Sequence, residues 1–126
     1  MNYRQEQLDI LIDLHNQQRT NRWLWKSEPL VKNENLMRYA QKWSNYMAKN
    51  ENLVHSNMKD LMKMGFVSVA ENIAYGQTSP ESVMKSWMRS IGHRNNIMNK
   101  SLTDIGCGMS ISSGGKLYWC VCFGKL

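Results

Sequence analysis

Apolar residues recur at helical spacing in three stretches of the chain and at strand spacing near its end. Between Arg4 and Arg19, Leu8, Leu11, Ile12 and His15 fall at i, i+3, i+4 and i+7, which predicts an amphipathic helix with a histidine on its apolar face. Leu36, Ala40, Trp43 and Met47 repeat at i, i+4, i+7 and i+11 after the polar Asn33-Glu34-Asn35, predicting a second helix. A third opens at Ser79-Pro80-Glu81, with an N-cap serine, proline at the first helical position and an acid in the first turn. Val83, Met84, Trp87 and Met88 supply its buried side, and it runs into a Gly92-His93 turn, with a short helical piece from Arg94 to Met98 beyond. At the chain's end Ile105, Cys107, Met109 and Ile111 alternate with small or polar residues before Gly114-Gly115, and Leu117 to Phe123 returns. That is a hairpin, and its second strand, apolar on both faces, reads as covered on both sides.

The connecting segments are less periodic. Asn21 to Pro29 breaks helical continuity, with Trp23 and Trp25 expected as packing anchors. Leu53-Val54-His55-Ser56 reads as a short extended or turn segment, and Asn57 to Met64 as a short helix closed by Gly65. Val67 to Tyr75 reads as a strand or tight loop with one carboxylate, Glu71, inside an apolar run, and an acid in such surroundings needs a partner. These elements predict an α+β fold in which a short sheet lies between helical layers. A single domain over residues 1–126 is expected, without internal repeats or linkers.

Composition narrows the function classes. A chain of 126 residues buries roughly two-thirds of its unfolded surface, and five tryptophans, five tyrosines and ten methionines give bulk to the core. No apolar run approaches the ~18 residues of a membrane span, and Met1-Asn2-Tyr3-Arg4-Gln5 lacks the apolar stretch of a secretory leader, so a cytosolic protein or a mature secreted domain is expected. The net charge of +6 favours anionic partners such as lipid headgroups, cell-wall polymers or nucleic acid. Because the cations are scattered from Arg4 to Lys125 and no nucleic-acid module signature is present, the reading is a basic surface without specific nucleic-acid binding, on a monomer.

The three cysteines all fall in the hairpin. With Gly114-Gly115 as a two-residue loop, Cys107 faces Cys122, and with a four-residue loop from Ser112 it faces Cys120. Either register places all three thiols on one sheet face, so a disulfide from Cys107 to Cys122 or to Cys120 and three reduced cysteines acting as small hydrophobes both stay open. Zinc held by these cysteines alone is not expected, since Cys120-Val121-Cys122 lacks the usual two-residue spacer.

Several segments taken together carry a further signal. In order they are His15-Asn16-x-x-Arg19, Ala40-Gln41-x-Trp43, Leu53-x-His55-Ser56, Glu71-Asn72-Ile73-Ala74-x-Gly76 and Trp87-x-x-Ser90-x-Gly92-His93-Arg94-x-Asn96-Ile97. Ile105-Gly106-x-Gly108 and Tyr118-Trp119-x-x-x-Phe123-Gly124 follow. By their order and spacing the chain resembles, over roughly residues 8 to 124, the CAP superfamily of cysteine-rich secretory, antigen 5 and pathogenesis-related proteins, in the compact form common in bacteria.

That resemblance implies a three-layer α-β-α sandwich with a central, mostly antiparallel sheet, and an extracellular, secreted protein. It also implies a polar cleft formed by His55, Glu71, Ser90 and His93, in which His55 and His93, with Glu71, hold a divalent metal such as zinc. Ser90 stands where many members carry a second acid, which weakens a four-residue metal site. His15 matches a structural position, in keeping with a hydrogen-bonded core histidine. The expected function is non-enzymatic binding of a lipid, sterol or cell-envelope ligand, with no catalytic residue assigned. The alternatives are a metal-dependent hydrolase or protease using the same cleft, for which a signature such as H-E-x-x-H is missing from the sequence, and a structural interaction module.

Overall fold

The computed structural model of the chain describes residues 2–126. Its helices are α1 (Tyr3–Thr20), α2 (Glu34–Asn50), α3 (Lys59–Lys63), α4 (Pro80–Met88) and α5 (Ile91–Met98). Its strands are β1 (Val31–Lys32), β2 (Ser68–Tyr75), β3 (Asp104–Ile111) and β4 (Leu117–Lys125), in the sheet order β1-β3-β4-β2. β2 and β3 both run antiparallel to β4, and only the two-residue β1 lies parallel to its neighbour.

The alternation of the strands sorts the core into two layers. Ile105, Cys107, Met109, Trp119, Val121 and Phe123 pack with α1, α4 and α5 residues such as Leu11, Trp87 and Ile97. Tyr118, Cys120, Cys122 and Ile73 pack on the other face with Leu36, Ala40 and Met47 of α2 and Leu61 of α3. The α-β-α sandwich with a mostly antiparallel sheet is therefore present.

The recurring sequence segments have local physical reasons. Gly106 and Gly108 lie where β3 meets α2, and a Cβ on them would come within 2.1 Å of Leu36 C and 2.5 Å of Ala40 O, so only glycine lets the helix backbone rest on the strand. Gln41 then accepts from Met109 N at 3.1 Å and donates to Met109 O at 2.7 Å, satisfying the backbone of β3 beyond the short β1. The buried Arg19 donates to the carbonyls of Glu28, Ile97, Asn99 and Leu102 at 2.6 to 3.0 Å, gathering the end of α5 and two loops around one guanidinium. His15 donates from Nδ1 to Leu11 O at 2.7 Å, while its buried Nε2 has no partner.

Three expectations are corrected. Trp23 and Trp25 do not anchor packing: they are 89% and 80% exposed, because they lie between the backbone bonds that close the connection, Asn21 N to Gln17 O and Arg22 N to Thr20 O on one side and Ser27 N to Arg19 O on the other. Gly92-His93 is not a turn before a helix but lies within the first turn of α5, whose N-cap is Ser90. The hairpin pairs Ile111 with Leu117, so its loop runs from Ser112 to Lys116 and neither expected register forms. This odd-numbered loop sets Cys107 opposite Val121 and turns it to the face away from Cys120 and Cys122. All three cysteines are free and buried, and no disulfide from Cys107 joins either partner.

Candidate functional site

The site is built along β2, the edge strand next to β4. Successive residues of a strand point to opposite faces, so Glu71 enters the α2 layer and Asn72 the α5 layer. Residues 52–57, which carry His55, have no regular structure but are clasped by α2. Trp43 donates from Nε1 to Val54 O at 2.7 Å, and the Tyr39 hydroxyl lies 2.9 Å from both Ser56 Oγ and Asn57 O, within reach of either for its one proton. These bonds bracket His55, so an irregular segment holds its imidazole in a fixed place.

Glu71 is the centre of the network, with a fully buried side chain. Its Oε1 accepts from His55 Nδ1 at 2.8 Å and from Ser56 N at 2.9 Å. Its Oε2 accepts from the Ser56 hydroxyl and faces the Cys120 and Cys122 thiols at 3.8 and 3.9 Å. A buried carboxylate is tolerated when its lone pairs are occupied in this way. The His55 side chain is 60% exposed above it. With the carboxylate as acceptor, Nδ1 carries the ring proton and Nε2 is left facing outward for a ligand.

His93 reaches the site from the other side of β2. Its carbonyl accepts from Asn72 Nδ2 at 3.0 Å, and Asn96 Nδ2 donates in turn to Asn72 Oδ1 at 2.8 Å, so β2 fixes the first turn of α5. His93 Nδ1 lies 2.9 Å from Ser90 Oγ, one helical turn back. Burial, and then the charge of nearby His55, hold the His93 pKa below the ordinary histidine value. Leu53, Ile73, Tyr75, Trp87, Ser90 and His93 line a cleft of about 240 Å³.

The four cleft residues taken from the sequence thus meet as two linked pairs, His55–Glu71 and Ser90–His93, on either side of one strand. They do not gather as three metal ligands. Among the described residues, the set of three histidine, cysteine or acidic side chains whose ligand atoms lie within 4.8 Å of one another is Glu71, Cys120 and Cys122. Glu71 spends Oε1 on His55 Nδ1 and the Ser56 amide, behind the His55 ring, and turns Oε2 away from it toward the Ser56 hydroxyl and both thiols. With Nδ1 engaged by Glu71 and by Ser90, His55 and His93 each keep Nε2 as the ring atom available to a divalent ion. The residues do not fit an ion that has Glu71 as a direct ligand beside the two histidines. Sequence reasoning missed Tyr39, Asn72 and Ser56 as the groups that place the site, although the last two stand inside the quoted segments.

Comparison with known proteins follows the same lines. Residues 12–123 match the cysteine-rich secretory protein family, designated CAP. The chain is 36% identical over 106 residues to the uncharacterized protein YkwD of Bacillus subtilis, covering 78% of this chain but only 40% of that protein. An outer surface protein of Borrelia burgdorferi superposes with a TM-score of 0.84 at 20% identity, covering 99% of this chain and 98% of that one. An extracellular protein containing an SCP domain from Bacillus anthracis superposes with a TM-score of 0.81 at 22% identity, covering 98% of this chain and 41% of that one. At these identities the two structures establish the shared fold.

Proposed function

The chain belongs to the cysteine-rich secretory protein (CAP) family, and from that premise we propose that it is an extracellular ligand-binding domain whose cleft takes a divalent cation and a small polar ligand. The observation that carries this reading is the matched treatment of the two imidazoles. Each is held through Nδ1, His55 by Glu71 at 2.8 Å and His93 by Ser90 at 2.9 Å, which leaves each Nε2 free to ligate. Imidazoles oriented this way suit zinc, nickel or copper ions. A bound ion would supply positive charge beside the cleft, to which a phosphate or carboxylate of a lipid headgroup or envelope polymer binds.

A cleft of about 240 Å³ falls below the roughly 300–1,000 Å³ of sites that bury a drug-sized ligand. It therefore suits the polar end of a lipid or a fragment of an envelope glycan better than a whole sterol. Extracellular placement is supported by the likeness to the outer surface protein of Borrelia burgdorferi and the extracellular protein of Bacillus anthracis. No helix among the described residues is long and apolar enough to cross a membrane.

The test is a calorimetric titration of metal-stripped protein with Zn²⁺, run beside the His55→Ala/His93→Ala variant. The expected result is a micromolar or tighter site in the wild type that the variant lacks, and identical titrations would overturn the reading. One observation favours a second, hydrolytic reading: the Ser90 hydroxyl lies 2.9 Å from a ring nitrogen able to take its proton. Turnover of an ester or peptide library that disappears in Ser90→Ala would establish it in place of binding.

A further inference from the structure

β4 places Cys120 and Cys122 on the same face, and the register of β2 sets Glu71 directly across from Cys122. Three potential ligand atoms meet there in a nearly equilateral triangle. Cys120 Sγ lies 3.8 Å from Cys122 Sγ and 3.8 Å from Glu71 Oε2, and Cys122 Sγ lies 3.9 Å from the same oxygen. The point equidistant from all three is about 2.2 Å from each, which matches zinc–thiolate bonds of about 2.3 Å and zinc–carboxylate bonds of about 2.0–2.2 Å. Both cysteines are wholly buried, as is the Glu71 side chain.

We propose that Glu71, Cys120 and Cys122 form a second metal site, separate from the histidine pair, for a thiophilic divalent cation such as zinc. The histidine pair and the thiol pair share Glu71 but differ in ligand type, so this site stands whether or not the cleft binds an ion. Without a cation the cluster is poorly satisfied. A thiol is a weak donor, and 3.8 to 3.9 Å is long for the contacts to Oε2, an oxygen that the Ser56 hydroxyl already serves. Burial, and then the hydrogen bond and charge of Cys122, raise the Cys120 pKa well above its ordinary value, so the thiol stays protonated until a cation displaces its proton.

Binding is a simple exchange. The cation gains two thiolate bonds and one carboxylate bond, and two thiol protons leave to solvent. Two thiolates, a carboxylate and a divalent ion sum to a single negative charge, beside which His55 already donates to the other Glu71 oxygen. Thiolate ligands select zinc and its softer relative cadmium over magnesium or calcium. Cys107, on the opposite sheet face, takes no part.

The experiment is titration of reduced, metal-stripped protein with Cd²⁺, read by the ultraviolet thiolate-to-cadmium charge-transfer band. The proposal expects one equivalent with a saturable band, retained in His55→Ala/His93→Ala and abolished in Cys120→Ser/Cys122→Ser. Absence of the band in the wild type, or its survival in the double serine variant, overturns the proposal and leaves the histidine site to stand or fall on its own titration. Should the serine variant fail to fold, the ¹¹³Cd NMR shift of the wild-type complex decides. A shift typical of two sulfur ligands supports the site, and one typical of nitrogen and oxygen alone overturns it.

Discussion

Glu71 and Asn72 are neighbours in one strand, yet they hold the two halves of the cleft from opposite faces of the sheet. Glu71 accepts from His55 Nδ1 at 2.8 Å on the α2 side, and Asn72 donates to the His93 carbonyl at 3.0 Å on the α5 side. The edge strand is thus the ruler that sets the two histidines against each other. A displacement of β2 would disturb both together.

Replacing Glu71 with Gln keeps the shape but removes the charge that the Ser56 amide, the Ser56 hydroxyl and His55 address. A loss of about 1–3 kcal/mol is expected in urea unfolding, because charge-assisted bonds to a buried group are lost or reversed. Zinc affinity at the histidine pair should fall about 10–100-fold with it, as for other outer partners of ligating histidines. An unchanged affinity would show that Glu71 does not orient His55.

His93 feels the charge of His55 after the larger effect of its own burial. Removing that neighbour in His55→Ala should move the His93 pKa upward, toward the ordinary histidine value. Proton NMR titration of the His93 ring reads this directly. No movement would mean that the two rings are not coupled.

Buried His15 has its pKa lowered to about 4, first by desolvation, against a backbone bond to Leu11 that opposes the shift. The folded protein therefore holds His15 neutral where the unfolded chain, with a value near 6.5, takes up a proton. Its stabilising contribution is complete above about pH 6.5 and is lost as the pH falls toward 4, by up to about 3 kcal/mol. In His15→Gln the pH dependence of Tm across this window should flatten, and a wild-type-like slope would assign acid sensitivity to other groups.

Gly106→Ala should be among the most damaging single substitutions, since the added carbon would meet the backbone of α2 at 2.1 Å. Neither side of that contact is a flexible side chain, so the helix must lift off β3. A loss of at least about 3 kcal/mol in denaturant unfolding, or failure to fold, is expected. Gly92→Ala, where a Cβ would meet nothing within 4 Å, serves as the mild control.

The sequence by itself determined the elements whose signals are local. The apolar stripes of α1 and α2, the Ser79-Pro80 start of α4 and the alternation of β3 and β4 each lie within one segment, where backbone geometry sets a fixed period. His55, Glu71, Ser90 and His93 stand out in the sequence as candidates because their spacing follows a family pattern, and the structure brings them together as the pairs His55–Glu71 and Ser90–His93. Only the tertiary structure decided what depends on pairing between distant segments. The five residues from Ser112 to Lys116 set the parity of the hairpin, and a change of one residue there exchanges the faces that the cysteines occupy. The meeting of Glu71 with Cys120 and Cys122 likewise follows from β2 lying beside β4, about fifty positions apart in the chain. The exposure of Trp23 and Trp25 follows from the path of a loop whose hydrogen bonds lie at its ends, at Asn21, Arg22 and Ser27. Local periodicity has no means of encoding such choices, since each is settled by which surfaces are buried together once the whole chain has packed.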